Sequence, residues 1–183
     1  MKEECILVKD KHFNLFIDEE RIQKRIEIIA KELTAVYENK RPIFIAILNG
    51  SFMFASDIFK QLDFDCEITF MKLSSYQAMS STGDVSTLIG LSQSIKDRHV
   101  IILEDIIDTG RTVHHFMKSL QSESPASIAV CSLLVKPTAL QFNIDIDYFG
   151  FEIEDKFVVG YGLDYDQYGR NYKGIYKLAQ AQN

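Results

Sequence analysis

The chain has 183 residues, which suits one domain with at most a small appendage. Hydrophobic residues make up 46% and charged residues 25%, an ordinary globular balance. The net charge of -6 argues against a protein whose main task is to coat nucleic acid, since such surfaces are usually basic.

Cys5, Cys66 and Cys131 are odd in number and widely spaced, so neither a zinc cage nor a disulfide framework is indicated. Cys66 and Cys131 lie in apolar runs and are expected to be small buried hydrophobes. The first ten residues lack the apolar core of a signal peptide, and no run approaches a membrane span. A reduced cytoplasm is the expected setting, with no membrane and no nucleic acid as partner.

In chain order, Phe13, Leu15 and Ile17 alternate with polar residues, as a short strand would. Asp18 is placed to cap a helix, with Glu19 and Glu20 in its first turn. Ile22, Ile26, Ile29, Leu33 and Val36 then recur at helical spacing, until Arg41-Pro42 breaks the pattern. Residues 43–48 are continuously apolar, the mark of a strand buried on both faces. Asn49-Gly50-Ser51 turns the chain into a helix over 52–62. Strands follow at 66–73, 99–103 and 127–135, with a helix at 112–120. Such alternation predicts an α/β fold with a mainly parallel sheet flanked by helices.

Two segments depart from it. Residues 74–86 are polar and rich in Ser, Thr and Gly, and read as a long functional loop. Residues 148–176 hold short strand-like runs at 148–152 and 157–161 and many aromatics. They read as a small subdomain beside the sheet, so the whole chain is expected to be one domain carrying a hood at about 148–176.

The chemistry concentrates where the strand 99–103 ends, because ligands of open α/β sheets bind beyond the strands' carboxyl ends. Glu104 and Asp105 follow directly, then Ile106-Ile107, then Asp108 and Thr109-Gly110-Arg111-Thr112. Two adjacent acids are commonly a solvated turn, but a fully apolar strand running into them is unusual. Carboxylates can accept from both hydroxyls of a ribose cis-diol. Thr109 and Thr112 supply hydroxyls, Gly110 lets backbone approach an anion, and the helix N-terminus offers free amides. The segment has no Walker spacing. On these residues alone, Asp108 reads equally well as a helix cap or as a proton-transfer group.

Residues 103–112 resemble the phosphoribosyl-pyrophosphate motif of the type I phosphoribosyltransferases, most closely in their hypoxanthine and hypoxanthine–guanine branch. Three further segments are similar to that family's, in the same order: the polar loop with Ser75-Tyr76, Leu134-Val135-Lys136-Pro137, and residues 149–165 with Arg170.

The resemblance implies a fold and a division of labour. The fold would be that of a type I phosphoribosyltransferase. Glu104 and Asp105 would hold the ribose hydroxyls, Thr109 to Thr112 the 5′-phosphate, and Asp108 would serve as general base on the purine. Lys136, otherwise a surface lysine, would donate to a purine 6-oxo group. Phe157, otherwise core, would stack on the purine, and Val158 would meet its edge through backbone. Asp164, otherwise a turn acid, would sit at the purine and, with Glu104 and Asp105, on the magnesium side. Asn49, Gly50 and Arg170 would face pyrophosphate, in the family often with an unusual cis peptide in that loop. Ser75 and Tyr76 would close as a lid. Asn49 stands where the family commonly has Lys or Arg, and Arg111 where Lys is frequent. Magnesium, phosphoribosyl pyrophosphate, a 6-oxopurine and a homodimer or homotetramer are implied by the resemblance. A regulator of the same fold would favour a basic face or an added DNA-binding domain, and neither is visible.

Overall fold

The computed structural model describes residues 4–75, 85–89 and 93–179. Two sheets form the frame. The larger has six strands in the order β5 (Val85–Ile89), β4 (Glu67–Ser75), β3 (Ile43–Leu48), β6 (His99–Ile107), β7 (Ser127–Val135) and β8 (Tyr148–Glu152). All its neighbours pair in parallel except β4 and β5. The smaller is antiparallel, in the order β1 (Cys5–Val8), β2 (Lys11–Ile17), β10 (Ile175–Leu178) and β9 (Val158–Val159).

Side-chain alternation explains why β3 and the residues 100–103 of β6 are apolar on both faces. Phe44 and Ala46 of β3, with Ile101 and Leu103 of β6, belong to the core under α1 (Glu19–Tyr37) and α2 (Phe52–Gln61). Ile43, Ile45 and Ile47, with Val100 and Ile102, belong to the opposite core, which includes Val113, Phe116 and Leu120 of α3 (Arg111–Ser122). A strand covered on both faces has no polar side to show.

The capping of α1 follows the sequence: Asp18 Oδ1 accepts from the Arg21 N–H at 2.8 Å. Its stripe ends differently. Val36 is exposed and Tyr37 takes the buried position one residue on. Cys131 is buried, whereas Cys66 is only half-buried, beyond the buried centre of the sheet. No helix among the described residues is long and apolar enough to cross a membrane.

Three boundaries differ from the sequence reading. Ser74-Ser75 and Val85-Ser86 are not loop but paired strand, the ends of β4 and β5. Tyr76 and residues 77–84 lie outside the described residues, as does the side chain of Ser75. The run 148–152 does not belong to the hood: it is β8, the parallel edge strand beside β7. The small sheet instead joins β9 and β10 to the N-terminal strands β1 and β2. Period-2 patterning cannot say which sheet a short strand will join, and β1 and β10 are too short to announce themselves.

The hood is tied to the helical layer through one carboxylate. Asp57 on α2 accepts from Tyr161 Oη at 2.5 Å, Gln23 Nε2 at 2.8 Å and Lys60 Nζ at 2.7 Å. Burial raises the Asp57 carboxyl, but these three donors outweigh it and hold its pKa below the ordinary value. Such a group adds stability above the ordinary carboxylate pKa and loses it as pH falls through the depressed one. Asp57→Ala should therefore lower the unfolding free energy at pH 7 by about 2–3 kcal/mol in urea titrations. The loss should shrink at pH 3, and an equal loss at both pH values would show that the charge is not what the donors hold.

Candidate functional site

The strand β6 runs four residues further than its apolar stretch suggests, so Glu104 and Asp105 are still strand when they leave the core. Successive strand residues face opposite sides. Glu104 continues the α3 side and lines a cavity of about 90 Å³ with Ile106 to Val113. Asp105 faces the turn after β3.

Glu104 is buried, and its Oε2 has no hydrogen-bond partner among the described residues. Burial, then the neighbouring charge of Asp105, pushes its carboxyl well above the usual range. Burial likewise raises Asp105 to about 6, against the pull of nearby backbone N–H groups and of Arg170, and with a further push from Asp164. The Ile106 N–H donates to Asp105 Oδ1 at 2.9 Å.

Gly50 makes this approach possible. A Cβ built on it would lie 1.5 Å from Asp105 Oδ2, and one built on Gly162 would lie 2.0 Å from the Gly50 carbonyl oxygen. Gly162, at φ 98°, also needs the left-handed region that favours glycine. The turn Asn49-Gly50 is entered through a cis peptide between Leu48 and Asn49. Asn49 itself is exposed, and Ser51 is buried with its hydroxyl donating to the Ile47 carbonyl at 2.6 Å.

Arg170 and Asp164 close this side. Arg170 Nη2 lies 2.7 Å from Asp164 Oδ1, and Nη1 donates to the Gly162 carbonyl at 2.8 Å. Asp164 is thus the turn acid its position suggested, since its Oδ2 also accepts from the Gln167 N–H at 2.7 Å.

The anion side is the start of α3. Gly110 sits at its N-cap with φ 79° and has no side chain to offer the first-turn amides. Asp108 is therefore not the cap. The Thr109 carbonyl accepts from the Gln141 N–H at 3.0 Å, while its Oγ1 accepts a longer bond, 3.4 Å, from the Arg111 N–H. Arg111 projects outward, 6.0 Å from the Phe142 ring. The first turn of α3, Thr112 included, lines the same cavity as Glu104, and its remaining amides have no intrahelical partner. His114 and His115 are not among the residues lining that cavity and meet Phe142 instead, tilted at 5.0 Å and edge-on at 5.9 Å between centroids.

Lys136 is not a surface lysine. It is 6% exposed, and its Nζ lies 3.0 Å from Asp108 Oδ2 and 3.0 Å from Asp155 Oδ1. Burial lowers the pKa of this ammonium, but hydrogen bonds to Asp155 and Asp108 more than restore it. Phe157 is not core: it is 46% exposed, with its ring set against Phe13 and edge-on to Tyr165. Val158 is buried in β9, next to a backbone bond from the Leu178 N–H to the Phe157 carbonyl at 2.9 Å.

The contacts at the site gather two clusters. One holds Asp105, Gly50, Gly162, Asp164 and Arg170; the other holds Asp108, Lys136 and Asp155. Asp155 and Gly162 stood out in the sequence only as parts of the segment 149–165; one acid in a polar stretch gives no signal of its own until its partner is known to be buried. A hard cation would find oxygen donors in Glu104, Asp105 and Asp164, and the partnerless Glu104 Oε2 suits one. Among the described residues no three such side chains converge tightly enough to enclose it. Water and a ligand's own oxygens would have to complete its shell, as is usual for magnesium.

Asp105 has a stability cost that depends on pH. Its carboxyl is protonated in both folded and unfolded chains at low pH, and only the folded form resists ionisation. The ligand-free protein should therefore lose stability as pH rises from about 4 through about 6. Asp105→Asn removes that cost, on the order of 3 kcal/mol at most. In thermal unfolding with chelator present, the variant should be the more stable protein at pH 8, with the gap closing toward pH 4. A gap that does not change with pH would contradict the burial argument.

Comparison with known proteins places the chain in a family. A family model described as the phosphoribosyl transferase domain matches residues 15–166. The hypoxanthine-guanine-xanthine phosphoribosyltransferase of Tritrichomonas foetus is 41% identical over 155 residues, covering 84% of this chain and 85% of that protein. The hypoxanthine phosphoribosyltransferase of Haemophilus influenzae is 39% identical over 175 residues, covering 93% and 98%. Among solved structures, a hypoxanthine phosphoribosyltransferase from Staphylococcus aureus superposes with a TM-score of 0.86 at 39% identity, covering 90% of each chain. The chain belongs to the phosphoribosyltransferase family, in its hypoxanthine and hypoxanthine–guanine branch.

Proposed function

We propose that the chain is a purine salvage enzyme that transfers the 5-phosphoribosyl group from phosphoribosyl pyrophosphate to hypoxanthine or guanine, releasing pyrophosphate. The observation that carries this reading is the pairing of Asp108 with buried Lys136 beside a helix N-terminus with glycine at its N-cap. A carboxylate acceptor and an ammonium donor, 3.0 Å apart, match the ring N–H and the 6-oxo oxygen of a 6-oxopurine.

In this reading the first-turn amides of α3, Gly110 and the hydroxyls of Thr109 and Thr112 hold the 5′-phosphate, with Arg111 adding charge at the rim. Glu104 and Asp105 accept from the ribose hydroxyls. Gly50 and Asn49 offer backbone to pyrophosphate, which Arg170 reaches after exchanging its internal partners. Asp108 takes the proton from the purine as the new glycosidic bond forms. Lys136 donates to the 6-oxo oxygen; having no acceptor to offer, it cannot pair with adenine's 6-amino group. Phe157 lends its exposed face to the base, and Val158 its backbone at the purine edge. Ser75 and Tyr76 exclude water as a lid. Magnesium, held through Glu104, Asp105 and Asp164 largely by way of water, would neutralise the departing pyrophosphate. Assembly into two or four copies accompanies the proposal on the strength of the resemblance, and a cytoplasmic setting on the strength of the cysteine pattern.

The test is steady-state turnover with phosphoribosyl pyrophosphate, magnesium and each purine. Nucleotide should form readily from hypoxanthine or guanine and poorly from adenine; none from either 6-oxopurine would overturn the proposal. Asp108→Asn should reduce turnover by about 100- to 10,000-fold with little change in phosphoribosyl pyrophosphate affinity. Unchanged turnover in that variant would remove the general-base role.

A further inference from the structure

Strands β6, β7 and β8 are neighbours in the parallel sheet, and beyond their carboxyl ends stand Asp108, Lys136 and Asp155. The register is pinned by backbone. The Lys136 N–H donates to the Ile107 carbonyl at 2.9 Å, and the Ile153 N–H donates to the Val135 carbonyl at 2.8 Å. One ammonium therefore sits between two carboxylates delivered by the strands on either side.

The two carboxylates meet different fates during transfer. Asp108 is the group that takes the purine's proton, and once protonated it no longer compensates the ammonium. A buried cation without a counter-charge is costly. Asp155 is two residues from Phe157 but lies on the far side of Lys136 from Asp108 in strand order. Its carboxylate takes no part in the proton transfer assigned to Asp108. An ammonium has three donor hydrogens. Two are engaged by Asp108 and Asp155, which leaves the third as the donor available to a base.

We propose that Asp155 is a positioning residue for purine selection: it holds Lys136 charged and aimed at the 6-oxo oxygen independently of the protonation of Asp108. This rests on the assignment of Lys136 as the purine-reading residue. Asp155 touches no reacting atom and acts only through Lys136. Its carboxylate is 67% exposed, so its replacement leaves the fold intact.

Asp155→Asn should raise KM for hypoxanthine about tenfold, as expected for a partly solvated charged hydrogen bond. KM for phosphoribosyl pyrophosphate should stay within about twofold, since the phosphate cluster is unaffected. Asp155→Glu should recover part of the loss, because the charge returns on a longer arm. In a Lys136→Met background, adding Asp155→Asn should change hypoxanthine KM by less than about twofold, because the residue it acts through is gone.

Two failures are distinguishable. If Lys136→Met raises hypoxanthine KM but Asp155→Asn does not, the positioning role is overturned and the base-reading role stands. If neither variant moves hypoxanthine KM, both are overturned. Equal effects of Asp155→Asn with and without Lys136 would also overturn the inference, because Asp155 would then act by another route.

Discussion

Two adjacent carboxylates, Glu104 and Asp105, are held largely out of water at the end of β6, and much of the surrounding architecture exists to tolerate them. Gly50 has no Cβ because Asp105 occupies that space, and Gly162 has none because the Gly50 carbonyl does. Arg170 supplies the charge that partly offsets Asp105, while being fixed itself by Asp164 and the Gly162 carbonyl. Glu104 receives no such compensation. Burying unpaired acid is unfavourable for an empty protein, so its persistence argues for a ligand that supplies the missing partners.

The parallel sheet explains how so many polar groups meet without disturbing the core. The strands β3 and β6 are apolar through the core, and β6 turns polar toward its carboxyl end, where Glu104 and Asp105 still belong to the strand. Beyond the strand ends, Lys136 after β7 meets Asp108 after β6 and Asp155 after β8. The hood adds Phe157 and Asp164 from above, tethered to the helical layer through Tyr161 and Asp57. One frame thus carries the close-packed Gly50 and Gly162 beside Asp105 and, separately, the ion pairs of Lys136.

The sequence made the apolar strands, the α1 cap and the acid-rich segment 104–112 readable, because each rests on local pattern. The resemblance to a known family then gathered Lys136, Phe157, Asp164 and Arg170, which lie far apart along the chain. Other features depended on packing that no local pattern encodes. The burial of Lys136 is a consequence of the strand order, and so is its second partner Asp155. That β8 joins the main sheet while β1 and β2 build the hood is a choice between edges. The stripe position of Tyr37 in place of Val36 reflects where α1 ends against the sheet.

The central claim is that Asp105 bears a burden in the empty protein because it is needed when phosphoribosyl pyrophosphate binds. Isothermal calorimetry of that ligand, with magnesium present, against Asp105→Asn tests this most directly. Binding should be weaker by about tenfold or more, the loss expected when a charged acceptor of ribose hydroxyls is removed. Affinity within about twofold of the unaltered protein would contradict the claim.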